Sequence, residues 1–237
     1  MRRSSSDRRK IVLIACVAVL LALAEVVLKT RAETADVRIR ILAVDRGSAA
    51  LITDRDGRRL LVDDGADASL LESLAAFIPW WDRRIDALFE EDQIAADQTS
   101  DIGDRYNVGT RTTDDFPLAG GAEFRRLGAL GLFICGADAV LFASSFTTRM
   151  ADDLPPGLRA SVIIWPDHVV SDKAAAKLLA AKPTEVVVSA GSRSRIGKGT
   201  LRALDLMRSR GMLVFRTDLD GVQTFTCTDR DLTHVKK

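Results

Sequence analysis

Few side chains in this sequence are equipped for chemistry, and they fall into small groups. Asp63 and Asp64 close one apolar run; Glu90, Glu91, Asp92 and Asp97 follow another. Carboxylates at strand ends suit a hard divalent cation such as Ca²⁺ or Mg²⁺. A solvated acidic loop has the same composition, and that is the expectation for residues 90–97. The chain holds only two histidines, His168 and His234. His168 follows Asp167 after an apolar run. It is placed to be a metal ligand, a general base or a hydrogen-bonded structural residue, and the last is expected. Ser144 and Ser145 have no G-x-S-x-G elbow around them, so no nucleophile is read there. Arg193, Arg195 and Lys198 lie in a Gly/Ser loop leading into a helix, where a phosphate could be held. The glycine and lysine spacing is not that of a Walker loop, and a plain surface loop is the expectation. Were nucleic acid bound, this loop and Arg125-Arg126 would contact it through phosphates, in a salt-sensitive way.

The elements that must position these groups start with residues 37–65. Val37, Ile39 and Ile41 alternate with Arg38 and Arg40, the period of a half-buried strand. Residues 49–53 give a second, more apolar strand, residues 54–57 a turn ending in Gly57, and residues 60–63 a third strand. Residues 66–81 predict an amphipathic helix with Asp67 and Ser69 as caps. Trp80 and Trp81 end it and are expected in the core or at an interface. Residues 85–89 predict a strand, and residues 90–113 mostly loop with some helix. Strands are expected over 127–135, 137–143, 160–165 and 185–189, and helices over 147–154, 171–181 and 199–210. Residues 212–216 and 222–226 are expected to close the chain as a hairpin. A meander followed by helix–strand alternation predicts an α/β (α+β) protein, with two sheets in the middle and helices on both outsides.

The 237 residues carry a net charge of +1, which argues against a whole-surface polyanion binder. The N-terminus differs from the rest. Arg2, Arg3, Arg8, Arg9 and Lys10 precede an apolar run over residues 11–28, broken only by Glu25. As a helix that run spans ~27 Å, close to the hydrocarbon thickness of a bilayer. The basic flank predicts a cytoplasmic N-terminus of residues 1–10, a single-pass signal anchor at 11–28, a linker at 29–36 and an extracytoplasmic domain at 37–237. A cleaved signal peptide and a buried core helix are the alternatives. The expected location is therefore the cell membrane. Cys16 falls in the apolar run. Cys135 and Cys227 are expected as buried free thiols, although an extracytoplasmic location would permit a disulfide between them.

Several segments, in order, resemble the C-terminal metallo-β-lactamase-like domain of ComEC-type DNA-uptake (competence) proteins. That domain opens D-V-G-Q-G-D-A; here the opening reads Ala43-Val44-Asp45-Arg46-Gly47-Ser48-Ala49, with Asp56-Gly57-Arg58 and Asp63-Asp64-Gly65 in register. Trp80-Trp81-Asp82-Arg83-Arg84-Ile85-Asp86 resembles the approach to the family's metal strand. Residues 161–171, residues 183–197 and Thr217-Asp218-Leu219-Asp220-Gly221 match later patches. The resemblance implies a four-layer αββα sandwich of metallo-β-lactamase type, here preceded by one N-terminal transmembrane helix.

The family's chemistry rests on one or two metals held by H-x-H-x-D-H or H-P-D-x-D-H, an intervening Asp and a final His. Aligned on that pattern, Asp92 and Asp97 replace the outer histidines, while Ile94 and Ala96 replace the aspartates. Ala143-Ser144-Ser145 stands where the bridging Asp belongs, and Asp167-His168 where the final His pair does. Two histidines cannot build a dinuclear histidine-rich centre. The degenerate site positions are thus Asp63, Asp92, Asp97, Ser144, Asp167 and His168, with no catalytic residue and no cofactor expected. The expected function is a membrane-anchored, non-catalytic binding or structural module, with DNA or an envelope membrane protein as candidate partner and a link to DNA uptake by analogy. The alternative is a zinc- or manganese-dependent hydrolase, a nuclease or phosphodiesterase, with a carboxylate-rich site.

Overall fold

The computed structural model describes residues 35–64, 69–90, 100–111, 115–144, 146, 147, 150, 154–166, 168, 170–194 and 196–235. Strand β1 (Val37–Ile41) turns alternate residues inward and leaves Arg38 and Arg40 half-buried on the other face. Burial and the neighbouring Arg38 lower the Arg40 guanidinium to about 10, and its charge lies over the Phe77 ring at 4.9 Å. Strand β2 (Ser48–Asp54) is buried along nearly its whole length, as a strand covered on both faces must be. Strand β3 (Arg59–Asp64) returns antiparallel to it. The turn between them needs Gly57, whose φ is 81°. Asp54 holds that turn by accepting from the backbone N–H of Asp56 (3.1 Å) and Arg58 (2.9 Å) and pairing with the Arg58 guanidinium at 2.9 Å.

The described elements continue as α1 (Ser69–Ala75), β4 (Arg84–Glu90), α2 (Ser100–Arg105), β5 (Asn107–Arg111), β6 (Phe116–Pro117) and β7 (Glu123–Leu127). Then come β8 (Leu130–Cys135), β9 (Asp138–Phe142), β10 (Val162–Trp165), α3 (Asp172–Leu179), β11 (Glu185–Val188) and α4 (Lys198–Ser209). The chain finishes with β12 (Leu213–Arg216), α5 (Thr217–Asp220), β13 (Gln223–Thr228) and β14 (Asp231–Val235). The strands form two seven-stranded sheets, ordered β14-β13-β1-β2-β3-β4-β5 and β12-β11-β10-β9-β8-β7-β6. In the first, β1, β3, β4 and β5 run the same way; in the second, β9 to β12 are parallel.

Three buried clusters define the layers. The largest joins the facing sides of both sheets through Ile39, Ile52, Phe89, Phe124, Phe142 and Phe225. A second lies between the other face of the second sheet and α3 and α4, around Trp165, Leu178 and Leu204. A third lies between the first sheet and α1 and α2, around Leu61, Leu74 and Ile102. Two large sheets with helices outside each are what the sequence pattern predicts, and the arrangement is compatible with a metallo-β-lactamase-like sandwich.

Several expectations need correction. The hairpin over residues 212–226 does not exist: β12 pairs with β11 in one sheet and β13 with β1 in the other. Asp218 and Asp220 cause the difference. They bind the Arg216 guanidinium (2.6 Å) and backbone N–H (2.8 Å), winding α5 into a helical turn that crosses between sheets. The closing hairpin is β13–β14, turning through Asp229 and Arg230 at φ 51° and 70°. Of the helix expected over 66–81, residues 66–68 lie outside the described residues, and α1 ends at Ala75, short of Pro79, which disfavours helix at Ile78. Strand β5 lies in the span read as mostly loop, and the strand expected over 127–135 is broken at Gly128 into β7 and β8, with Arg125 and Arg126 in β7. Trp80 and Trp81 are 75% and 72% exposed, not core.

Cys135 and Cys227 are not free thiols. They form a disulfide with Cα atoms 5.9 Å apart. Alternating strand residues bring both side chains into the inter-sheet cluster, one from each sheet, so the bond ties sheet to sheet. Closing a chain separation of 92 residues stabilises by roughly 4–5 kcal/mol in the chain-entropy treatment. The expected anchor at 11–28 and most of the helix expected over 147–154 lie outside the described residues. Among the described residues, no helix is long and apolar enough to cross a membrane.

Candidate functional site

Parallel strands place their carboxyl ends on one edge, where α/β proteins commonly bind ligands. Here the carboxyl ends of β1, β3 and β4 meet those of β9, β10 and β11 in one rim. The proof of contact is direct: the Ser189 hydroxyl, just past β11, donates to the Leu42 carbonyl, just past β1, at 2.7 Å. Both groups are buried.

Asp45, in the loop between β1 and β2, is the hub of this rim. Its backbone N–H donates to the Ser69 hydroxyl at 2.8 Å, its carboxylate accepts from the Arg193 N–H at 2.9 Å, and its carbonyl accepts from the Ser194 hydroxyl at 2.8 Å. Beside it the Ala43 carbonyl accepts from the Ser73 hydroxyl at 2.6 Å. Gly191 is required here, since a Cβ would collide with the Asp45 carboxylate and the backbone of Val44 and Asp45. Thr217, past β12, extends the network by bonding both the N–H and the carbonyl of Ala190 at 2.7 Å. The loop that opens the resemblance is thus stapled to α1 on one side and to the loop after β11 on the other.

The degenerate site positions distribute around this rim. Asp63, next to last in β3, is nearly solvent-free, 1% exposed, and stands in register with Glu90 at the end of β4. Ser144 follows β9 and is buried. His168 follows β10, is exposed, and has Nε2 3.2 Å from the Phe146 carbonyl. Asp92, Asp97 and Asp167 lie outside the described residues, as do Glu91, Ser145 and Arg195. Among the described residues, no three His, Cys, Asp or Glu side chains gather into a group that could hold a metal ion. His234 is remote from any such role. Its Nδ1 lies 2.7 Å from the Glu185 carboxylate and its Nε2 3.0 Å from the Gln223 side-chain oxygen, and the ring stacks on Phe225.

Backbone amides of the candidate phosphate loop bond to neighbouring groups. The Gly191 N–H donates to the Ser194 hydroxyl at 2.8 Å, the Ser194 N–H to the Gly191 carbonyl at 3.1 Å, and the Arg193 N–H to Asp45. These amides hold the loop itself. The Arg193 guanidinium is 88% exposed and 3.9 Å from Asp45; Lys198 is exposed at the first residue of α4. Sequence reading missed Asp45, Ser73, Ser189, Ser194 and Thr217 as a network. One signal was present: Asp45 stands where the family motif has glycine, a change that adds both a side chain and a charge.

No family profile matches this chain, and no curated protein matches it. Among solved structures, it is similar to one described as a new diphosphatase from the PhnP family, at 12% identity. The similarity covers 75% of this chain and 94% of that chain, with a TM-score of 0.43.

Proposed function

We propose that this is a membrane-anchored, non-catalytic domain of metallo-β-lactamase-like architecture, serving as a binding or structural module outside the cytoplasm. One observation carries the reading: a set of polar groups at the carboxyl-end rim is engaged between loops. Asp45, Ser69, Ser73, Ser189 and Ser194 join loops of both sheets and α1 instead of facing a substrate. The inter-sheet disulfide supports an oxidising compartment, consistent with a C-terminal domain beyond the membrane. The link to DNA uptake gains no support from these features and forms no part of the proposal.

The test is metal content and turnover of the purified full chain. Substoichiometric zinc and manganese, and no hydrolysis of bis(p-nitrophenyl) phosphate, is the expected result. Stoichiometric metal, lost together with hydrolysis in an Asp63→Asn/His168→Ala variant, would overturn it. That second reading, a hydrolase with a carboxylate-rich site, is favoured by one pairing: Asp63 opposite Glu90, each with an oxygen closed off from solvent at adjacent strand ends.

A further inference from the structure

The edge opposite the rim displays a feature that neither reading uses. Pro79 to Asp82 form a tight turn, with the Asp82 N–H donating to the Pro79 carbonyl at 3.1 Å. Trp80 and Trp81 occupy its two corners. Their rings meet edge to face with centroids 5.6 Å apart, and both remain about three-quarters exposed (75% and 72%). Two adjacent indoles in water lose the apolar burial that makes Trp valuable.

The turn is braced from behind. Arg59 donates to the Asp82 carboxylate at 2.8 Å, to the Asp82 carbonyl at 3.1 Å and to the Arg84 carbonyl at 3.0 Å. The Arg59 side chain is 11% exposed and that of Asp82 44%, so the brace is buried on its arginine side only. It presents the indoles as a rigid pair. Arg83 beside them is exposed. Arg83 and Arg105 also lie close enough to Tyr106 to oppose the rise that burial gives its hydroxyl pKa. Arg83 follows the indole pair in sequence, directly after Asp82.

The place where the chain enters the domain decides what this tip faces. Strands β1 and β4 run the same way, separated by β2 and β3. Val37 pairs with Asp54, and β3 starts at Arg59, opposite Thr53. The start of β1 and the turn before β4 are therefore on one edge, roughly 15 Å apart at the usual strand spacing. Asp36 is pinned at that edge by Arg55 at 2.8 Å. The residues between Leu28 and Asp36 reach at most roughly 28 Å when fully extended, so under the anchor reading the chain length lets this edge reach the bilayer.

We propose that Trp80 and Trp81 insert into the headgroup–acyl boundary of the bilayer that holds the anchor, with Arg83 against lipid phosphates. Indoles are suited to that layer because their bodies are apolar and their N–H is polar. The contact turns the amino-end edge toward lipid and the carboxyl-end rim away from it. The proximity argument rests on the anchor reading; the exposed pair does not.

The test uses the chain's own fluorescence. Its three tryptophans are Trp80, Trp81 and Trp165, and Trp165 is buried beneath α3 and α4 at 1% exposure. The full chain is reconstituted into phosphatidylcholine–phosphatidylglycerol vesicles with and without brominated acyl chains. Brominated lipid is expected to remove most of the emission from the pair, while the Trp80→Phe/Trp81→Phe variant keeps its Trp165 emission unchanged. Emission quenched by aqueous acrylamide and indifferent to bromine, in a chain that resists carbonate extraction, overturns the lipid contact and leaves the anchor standing. Carbonate extraction with bromine quenching retained removes the anchor and keeps the contact. Shielding from both quenchers that grows with protein density in the vesicle assigns the pair to a second copy of the chain, and overturns the proposal.

Discussion

The two edges of the sandwich are held together in different ways. At the carboxyl-end edge the sheets are joined by hydrogen bonds centred on Asp45, Ser189 and Ser194. At the amino-end edge they are joined by a covalent bond: Cys227 is the register partner of Val37, the first residue of β1, and its sulfur reaches Cys135 in the other sheet. The first edge ties Asp45, Ser189 and Ser194 to neighbouring loops. The second, closed by the disulfide and by the His234–Glu185 contact between β14 and β11, leaves its indoles outside. What an edge can display depends on what already fastens it.

Loosening each edge separately is the way to test the contrast. The largest effect belongs to the disulfide: a Cys135→Ala/Cys227→Ala variant should lose roughly 4–5 kcal/mol. Its melting temperature should fall by about 10–20 °C for a domain of this size, as should that of the parent under reductant. A variant and a reduced parent that both melt like the oxidised parent would remove the covalent edge from the comparison. Next comes Gly191→Ala, which drives a Cβ into the backbone around Asp45 and should cost about 1–3 kcal/mol as overpacking. Reductant should add its penalty on top, because separate edges give additive losses in denaturant titrations. Ser189→Ala should cost about 1 kcal/mol by leaving the buried Leu42 carbonyl without its 2.7 Å donor.

The smallest effect is Asp82→Asn, behind the indole pair. The hydrogen bond from Arg59 holds the Asp82 carboxyl below its usual range, with the charges of Arg59 and Arg84 assisting. A depressed carboxylate contributes stability that is present above its unfolded pKa and lost as pH falls through the folded value. The melting difference between Asp82→Asn and the parent should therefore be slight at neutral pH and vanish in acid. A difference that persists or widens on acidification would show that Arg59 does not act through that carboxylate.

Much of the fold was legible because its buried strands write themselves in two ways. Strand β1 alternates, and β10 and β11 are short continuous apolar runs; both patterns follow directly from which faces are covered. Strand β5 was not legible. It is an edge strand of Asn107, Val108, Gly109, Thr110 and Arg111, covered too little to need an apolar pattern. The false hairpin at residues 212–226 arose because Asp-Gly after a strand reads locally as a turn. The partners that separate β12 from β13 come from β11 and β1, far along the chain. The rim network was hidden for the same reason. Ser189 and Leu42 are 147 residues apart, and a serine gives no sign in sequence of which carbonyl it will reach. The disulfide was readable only as a permitted pairing, since two cysteines do not reveal that their strands face each other.

The position of β1 has a mechanical consequence. A pull on the segment before Asp36 would act along the axis of β1, which lies between β2 and β13 rather than at a sheet border. The load would fall in shear on both ladders at once, instead of unzipping one bond after another. Cys227 on β13 passes part of that load across to the second sheet. A domain pulled through β1 would thus be loaded on an interior strand, in shear, and not on a border strand that peels.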